Sequence, residues 1–225
     1  MKNVRVFLAV ILGLLLCVPV FSDEKFRELV VKAKAGDADA QFNLGVMYEF
    51  GEGVPKDLAE ALKWWRKAAE QGHAKAQFNL GEMYYLGKGV PKNNVEAAKW
   101  YRKAAEQGDA DSQFELGGMY ESGKGVPKSQ KEGIKWIRKA AEQGHADAQS
   151  AMGIVYFQGG EGCPKDDALA YMWMNLASSS AEKDKALGYK IMLGNHAKLM
   201  SKETIAEGEK LTREWLERKA KENGE

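Results

Sequence analysis

Gly36, Gly72, Gly108 and Gly144 stand 36 residues apart, and so do Trp64, Trp100 and Trp136. The next tryptophan of the series, Trp173, follows after 37, and Pro55, Pro91, Pro127 and Pro164 slip by the same single residue, placing an insertion at Gly159–Gly160. A fixed period of this length is the mark of stacked helical hairpins, each able to bury its apolar faces only against its neighbours. Four units are expected, over 36–71, 72–107, 108–143 and 144–181.

Each unit carries its own punctuation. In the first, Ala40, Leu44, Met47 and Tyr48 recur at helical spacing between Asp39 and Phe50. Gly51-Glu52-Gly53 offers the left-handed residue that closes a helix, and Pro55 prevents resumption. Asp57 then opens a second helix, with Asn93, Ser129 and Asp166 as counterparts, all of them good N-caps. Glu60, Glu96 and Glu132 fall three residues later and predict a reciprocal capping box in three units, which Leu169 breaks in the fourth. Ala61, Trp64 and Ala68 make the apolar stripe of this second helix. Gly45, Gly81, Gly117 and Gly153 sit inside the first helices, where glycine costs about 1 kcal/mol against alanine. A repeated cost predicts a repeated reason, namely a partner helix too close for a side chain. Ala68-Ala69 and their counterparts are expected to meet the following unit.

These words, A-x-A-Q-F-N-L-G-x-M-Y-x-x-G-x-G-V-P-K-x followed by A-x-x-W-x-R-K-A-A-E-Q-G, resemble the Sel-like repeat family, a relative of the tetratricopeptide repeats rich in exported proteins. The resemblance covers about two-thirds of the chain. It extends to the ending: Ala168 to Ala177, Leu199 to Thr204, and Glu214-Trp215. It implies an all-α fold, a right-handed α/α solenoid of antiparallel hairpins. Helical caps are expected at 23–35 and 182–225, with Glu24 to Ala35 a lone helix like the second half of a unit, and a last helix starting at Ser201.

Ahead of the repeats, Lys2 and Arg5 precede the apolar run Val6 to Leu16, and Val20-Phe21-Ser22 provides a cleavage site. The run falls short of the roughly 20 residues that a spanning helix needs. A cleaved export signal over 1–22 is expected, hence a periplasmic or secreted protein without membrane insertion. Cleavage takes the net charge from +1 to −1 by removing Lys2 and Arg5. It also removes Cys17, leaving Cys163 as the one cysteine and no internal disulfide. No Lys/Arg block suits nucleic acid. Cys163 replaces Val54, Val90 and Val126, which favours a small buried apolar role over a reactive thiol or an intermolecular disulfide.

Catalytic signals are thin. Gly118 to Gly125 nearly spells a phosphate loop, but it lacks the Ser/Thr after Lys124 and follows a helix, not a strand. Ser180-Ala-Glu-Lys183 matches S-x-x-K without its companion motifs. His73 and His145 share one repeat position with Asp37 and Asp109, which suits a helix start better than a metal ligand, and His196 has no evident partner. The chain is therefore expected to be no enzyme and to need no cofactor or metal. The alternative is a cell-wall or β-lactam-active enzyme of the kind linked to cysteine-rich family members, although the repeated cysteines of those members are missing.

The resemblance implies a concave groove lined by the first helix of each unit. Carried over, the groove positions are Asp39, Phe42, Val46, Glu49 and Phe50; then Lys75, Phe78, Glu82, Tyr85 and Leu86; then Asp111, Phe114, Gly118, Glu121 and Ser122; and in the fourth unit Asp147, Ser150, Ile154, Phe157 and Gln158. Packing positions barely change between units, whereas 46, 82, 118 and 154 read Val, Glu, Gly and Ile. The phenylalanines have two readings, a docking surface or packing between adjacent first helices. The expectation is a monomeric adaptor or scaffold of the bacterial envelope that binds a protein or peptide, with Asp39, Lys75, Glu82 and Asp111 setting polarity.

Overall fold

A computed structural model describes residues 23–224; the signal expected over 1–22 lies outside the described residues. The regular elements are α1 (Asp23–Lys34), α2 (Ala38–Phe50), α3 (Leu58–Glu70), α4 (Ala74–Leu86), α5 (Asn94–Glu106), α6 (Ala110–Ser122), α7 (Gln130–Glu142), α8 (Ala146–Gln158), α9 (Asp167–Ser180), α10 (Lys183–Ala197) and α11 (Lys202–Asn223). Among the described residues, extended pairing is confined to one bridge, Gly160 with Cys163. The helices form two compact units, one ending at His73 and one starting at Ala74. In the first, α1 packs on α2 and α2 on α3. Ala33, Ala40, Leu44 and Trp64 form its core, with Phe26, Leu29, Val30 and Tyr48 against them. In the second, α4–α5, α6–α7 and α8–α9 are paired hairpins, α5 lies on α6 and α7 on α8, and both α10 and α11 rest on α9. The fold is an all-α array of antiparallel helix pairs.

The helix starts follow the sequence. Asp57 accepts from the N–H groups of Ala59 and Glu60, Asn93 from Val95 and Glu96, Ser129 from Glu132, and Asp166 from Leu169. The reciprocal half of the capping box does not form. Glu60 turns instead to Lys63 at 3.0 Å and Glu96 to Lys99 at 2.6 Å. The reason is a better acceptor: each N-cap donates its own N–H to a tyrosine carbonyl of the first helix. These bonds run from Asp57 to Tyr48 at 2.8 Å, Asn93 to Tyr84 at 2.8 Å, Ser129 to Tyr120 at 2.9 Å and Asp166 to Tyr156 at 2.9 Å. A main-chain pin thus closes every hairpin. The fourth spans one residue more, and the Gly160–Cys163 bridge takes up the excess, its N–H···O bonds at 2.7 and 2.9 Å. Cys163, 1% exposed, is buried below this loop.

The mid-helix glycines meet the second helices. A Cβ on Gly81 would lie 2.6 Å from the Tyr101 ring, on Gly117 2.6 Å from Ile137, and on Gly153 2.5 Å from Met174; Gly45 faces Trp65 in the same way. The residue filling each seat follows the repeated tryptophan by one. Trp65 also donates its indole N–H to the Phe42 carbonyl at 3.1 Å.

Within and between successive repeats, buried glutamines add order. Gln113 donates to the Ala105 carbonyl at 3.0 Å and accepts from Gln143 at 2.8 Å. The alanine pairs at 104–105 and 140–141 are fully buried where the next first helix arrives.

Candidate functional site

In the unit that begins at Ala74, the first-helix positions form a mixed aromatic and acidic surface. Phe78 and Tyr85 on α4, Phe114 on α6, and Ile154 and Phe157 on α8 are each half-buried. Phe78 tilts against the Tyr101 ring at 5.7 Å. Phe114 stacks on the imidazole of His145 at 4.9 Å, and Phe157 meets His196 edge-on at 4.5 Å. One side of each phenylalanine therefore packs, and the remainder faces water. Tyr85 lies between Lys92 and Lys124, at 5.4 and 5.7 Å from its ring, and its hydroxyl accepts from Lys124 at 3.3 Å. Leu86 stands 47% exposed at the end of α4, and Lys75 is exposed at its start.

Glu115, which the sequence reading passed over, is a half-buried acid of this face. Its carboxyl is pushed up first by burial and then by the negative charge of Glu82, with Asp111 and Asp147 adding and His145 opposing. One half-buried acid on α6 thus feels acids on α4 and α8. Position 115 was the available signal: its counterparts are Asn43, Asn79 and Ala151, so this unit alone has a carboxylate there. Glu82 also meets Lys88 at 3.6 Å. Glu121 does not join the cluster. Its side chain lies over Gly133 at the start of α7, where burial pushes its carboxyl up.

His145 caps α8: its Nδ1 accepts from the Ala148 N–H at 3.1 Å, and its Nε2 lies 3.2 Å from Asp111. Its Nε2 is thereby placed to donate to Asp111. His196 has the partners the sequence did not reveal, the Met192 carbonyl at 2.8 Å and the Phe157 ring. Asp147 is taken up by α10. Burial alone would raise its carboxyl, but hydrogen bonds from Lys185, at 2.9 Å, and from Tyr189 hold it below the usual carboxylate range. Burial and that carboxylate push the Tyr189 phenol up to about 12.

In the unit ending at His73, Phe42 is half-buried and stacks on His73 at 4.6 Å, with His73 Nε2 3.2 Å from Asp39. Val46 and Glu49 are half-buried, and Phe50 is 65% exposed.

Catalytic arrangements do not assemble around the remaining motifs. Ser180 ends α9 and Lys183 opens α10, both exposed, whereas an S-x-x-K nucleophile needs its serine and lysine on successive turns of one helix. Among the described residues, no three His, Cys, Asp or Glu side chains converge as a metal site, and no helix is long and apolar enough to cross a membrane. A cavity of about 490 Å³ lies between α7, α9 and α11, walled by Trp173 and Trp215 with Arg138, Arg218, Glu142 and Glu214 at its rim. Its walls come from distant parts of the sequence, and its opposite charges offset one another.

Comparison with known proteins matches this architecture. The Sel1 repeat profile fits residues 38–73, 74–109, 110–145 and 146–181 in succession. Among solved structures, the chain resembles c5321, a protective antigen of uropathogenic Escherichia coli displaying an SLR fold. Identity is 41% with a TM-score of 0.67, over 70% of this chain and 33% of that one, so the chain spans about a third of its length. A Sel1 repeat protein from Oxalobacter formigenes is 39% identical with a TM-score of 0.54, over 56% of this chain and 96% of that one. A Klebsiella pneumoniae Sel1 repeat protein, 19% identical with a TM-score of 0.50, shares the fold over 84% of this chain and 98% of that one. No curated protein sequence matches significantly. With four tandem matches covering more than half of its length, the chain belongs to the Sel1 repeat family.

Proposed function

We propose that the chain is a non-enzymatic scaffold of the bacterial envelope that binds a protein or peptide on the first-helix face of its second unit. The observation that carries this reading is Glu115, a half-buried carboxyl pushed up by burial and by the charges of Glu82, Asp111 and Asp147, on first helices that also carry the half-buried Phe78, Phe114 and Phe157. Clustered like charge in partly buried surroundings destabilises the free protein. A lysine or arginine from a partner would relieve that repulsion while its neighbours cover the half-exposed rings, so the partner is a basic segment with apolar side chains. The export signal read over 1–22 supports an envelope or extracellular setting, and the family's usual role as an interaction scaffold supports the rest.

The test is affinity capture from envelope extract with the chain lacking 1–22, beside a variant with Phe78, Tyr85 and Phe114 changed to Ala, the two matched for helical circular dichroism and melting. Capture of one protein by the parent alone supports the site. Equal capture by both removes it, and a serine labelled by a fluorescent penicillin would overturn the non-enzymatic reading.

A further inference from the structure

Helix α10 breaks the rule that the end of an array is polar outward. Lys185, Tyr189, Met192 and His196, spaced four, three and four residues apart, face α8: the first two hold Asp147, Met192 Sδ meets Ser150 Oγ at 3.7 Å, and His196 packs on Phe157. The stripe half a turn away runs Leu187, Ile191, Gly194 and Lys198 with the same spacing, so it points away from α8. Leu187 is 65% exposed and Ile191 57% exposed, and nothing lies within 4 Å of where a Cβ would stand on Gly188 or Gly194. The polar stripe is turned inward and the apolar one is left in water.

We propose that this stripe is the interface with a second copy of the chain, the two α10 helices packed antiparallel about a twofold axis at Ile191, in place of the monomer expected from sequence. The assignment to a second copy rests on self-complementarity, which a twofold interface requires. Residues equidistant from Ile191 come face to face. Gly188, three before it, meets the glycine at 194 of the other copy, three after, so two positions with open space above them coincide and the helices can approach closely. Asp184, seven before it, meets the lysine at 198, seven after, so opposite charges pair at both ends. A parallel arrangement would set Asp184 against itself and Lys198 against itself. The helix is only about 22 Å long at 1.5 Å per residue, so the dimer is a weak, reversible one.

Sedimentation equilibrium over a rising concentration series tests it. The parent shifts toward twice the chain mass, and I191E stays monomeric at every concentration with helicity unchanged, because that side chain already sits in water. D184K and K198D each weaken the dimer about tenfold, each turning two attractions into two repulsions, and the double exchange restores it. A parent that remains monomeric to millimolar concentration overturns the proposal, as does a dimer that survives I191E; a double exchange that fails to restore association overturns the antiparallel register.

Discussion

Two adjacent glycines of α6 should respond oppositely to the same substitution. Gly117 is a seat: a Cβ there would lie 2.6 Å from Ile137 Cγ1, 3.0 Å from the Gly133 carbonyl oxygen and 3.2 Å from the Ile137 nitrogen. Ile137 is 2% exposed and cannot swing away, and the other two atoms are backbone. Gly118, one residue on, has nothing within 4 Å. Both positions are interior to the same helix, so alanine gains the same propensity at each, about 0.5–1 kcal/mol. Overpacking at Gly117 costs about 1–3 kcal/mol. Because the propensity term is common, the difference between Gly117→Ala and Gly118→Ala isolates the steric term, about 1–3 kcal/mol, with Gly118→Ala more stable than the parent. Urea unfolding followed by circular dichroism measures it, provided the slope with denaturant is unchanged among the three proteins. Equal stability of the two variants, or a more stable Gly117→Ala, would refute the claim that the repeated glycines exist to admit the second helix.

Other substitutions probe other links. Glu115 has a folded-state pKa above the usual glutamate value, so the folded chain holds the proton more tightly and its stability falls as pH rises from about 4.3 through the raised value. Glu115→Gln should accordingly stabilise the free chain at neutral pH, a gain that vanishes in acid, while weakening capture of a basic partner; a variant that is less stable at neutral pH would contradict this. Asp147 is the opposite case, with its pKa held down by Lys185 and Tyr189, so its contribution is present above the ordinary aspartate value near 3.9 and is lost as pH falls through the lowered one. Hydrogen exchange should therefore find α10 loosening below that value in the parent, and already loosened at neutral pH in Asp147→Asn. Gln113→Ala takes the side-chain donor from the Ala105 carbonyl, which keeps the Gly108 N–H, and the acceptor from Gln143, and should cost about 0.5–1.5 kcal/mol in the same urea assay.

What was legible in the sequence is what depends on neighbours within one hairpin. Gly45, Gly81, Gly117 and Gly153 announced the close approach because glycine inside a helix is unfavourable without a reason, and Asp57, Asn93, Ser129 and Asp166 announced helix starts because a cap needs only the next three residues. The capping box misled because the competing acceptors, the carbonyls of Tyr48, Tyr84 and Tyr120, come from the preceding helix. The carboxylate at 115 could be read as the odd one of its repeat position, but not its surroundings, since Glu82 and Asp147, which act on it, each belong to another repeat. The chain divides into its two compact units between His73 and Ala74, where the sequence reads almost as it does at His145 and Ala146, so no local signal marks the division. The candidate surface was legible as a set of positions, but which acids act together, and that Glu121 turns to α7, required the packing.

The same logic explains where the repeat stops. In three units a glutamine at the end of the second helix reaches back to a buried glutamine of the first: Gln71 to Gln41, Gln107 to Gln77 and Gln143 to Gln113, at 2.7, 2.7 and 2.8 Å. Gln149 keeps the other half of the arrangement, donating to the Ala141 carbonyl at 3.2 Å, but serines occupy the end of α9. A serine is too short to reach, and Gln149 Oε1, fully buried, has no hydrogen-bond partner among the described residues. An unpaired buried acceptor costs about 1–3 kcal/mol, so keeping glutamine here while losing its partner is a net loss unless the replaced turn gains something else. The gain is the chain's change of course: Ser180 and Ala181 let α9 end without the glycine that closes α3, α5 and α7, and α10 departs to hold Asp147 and Phe157. The array thus ends at a substituted hydrogen-bond ladder, and the helix that follows carries the apolar stripe on which the second copy is proposed to dock.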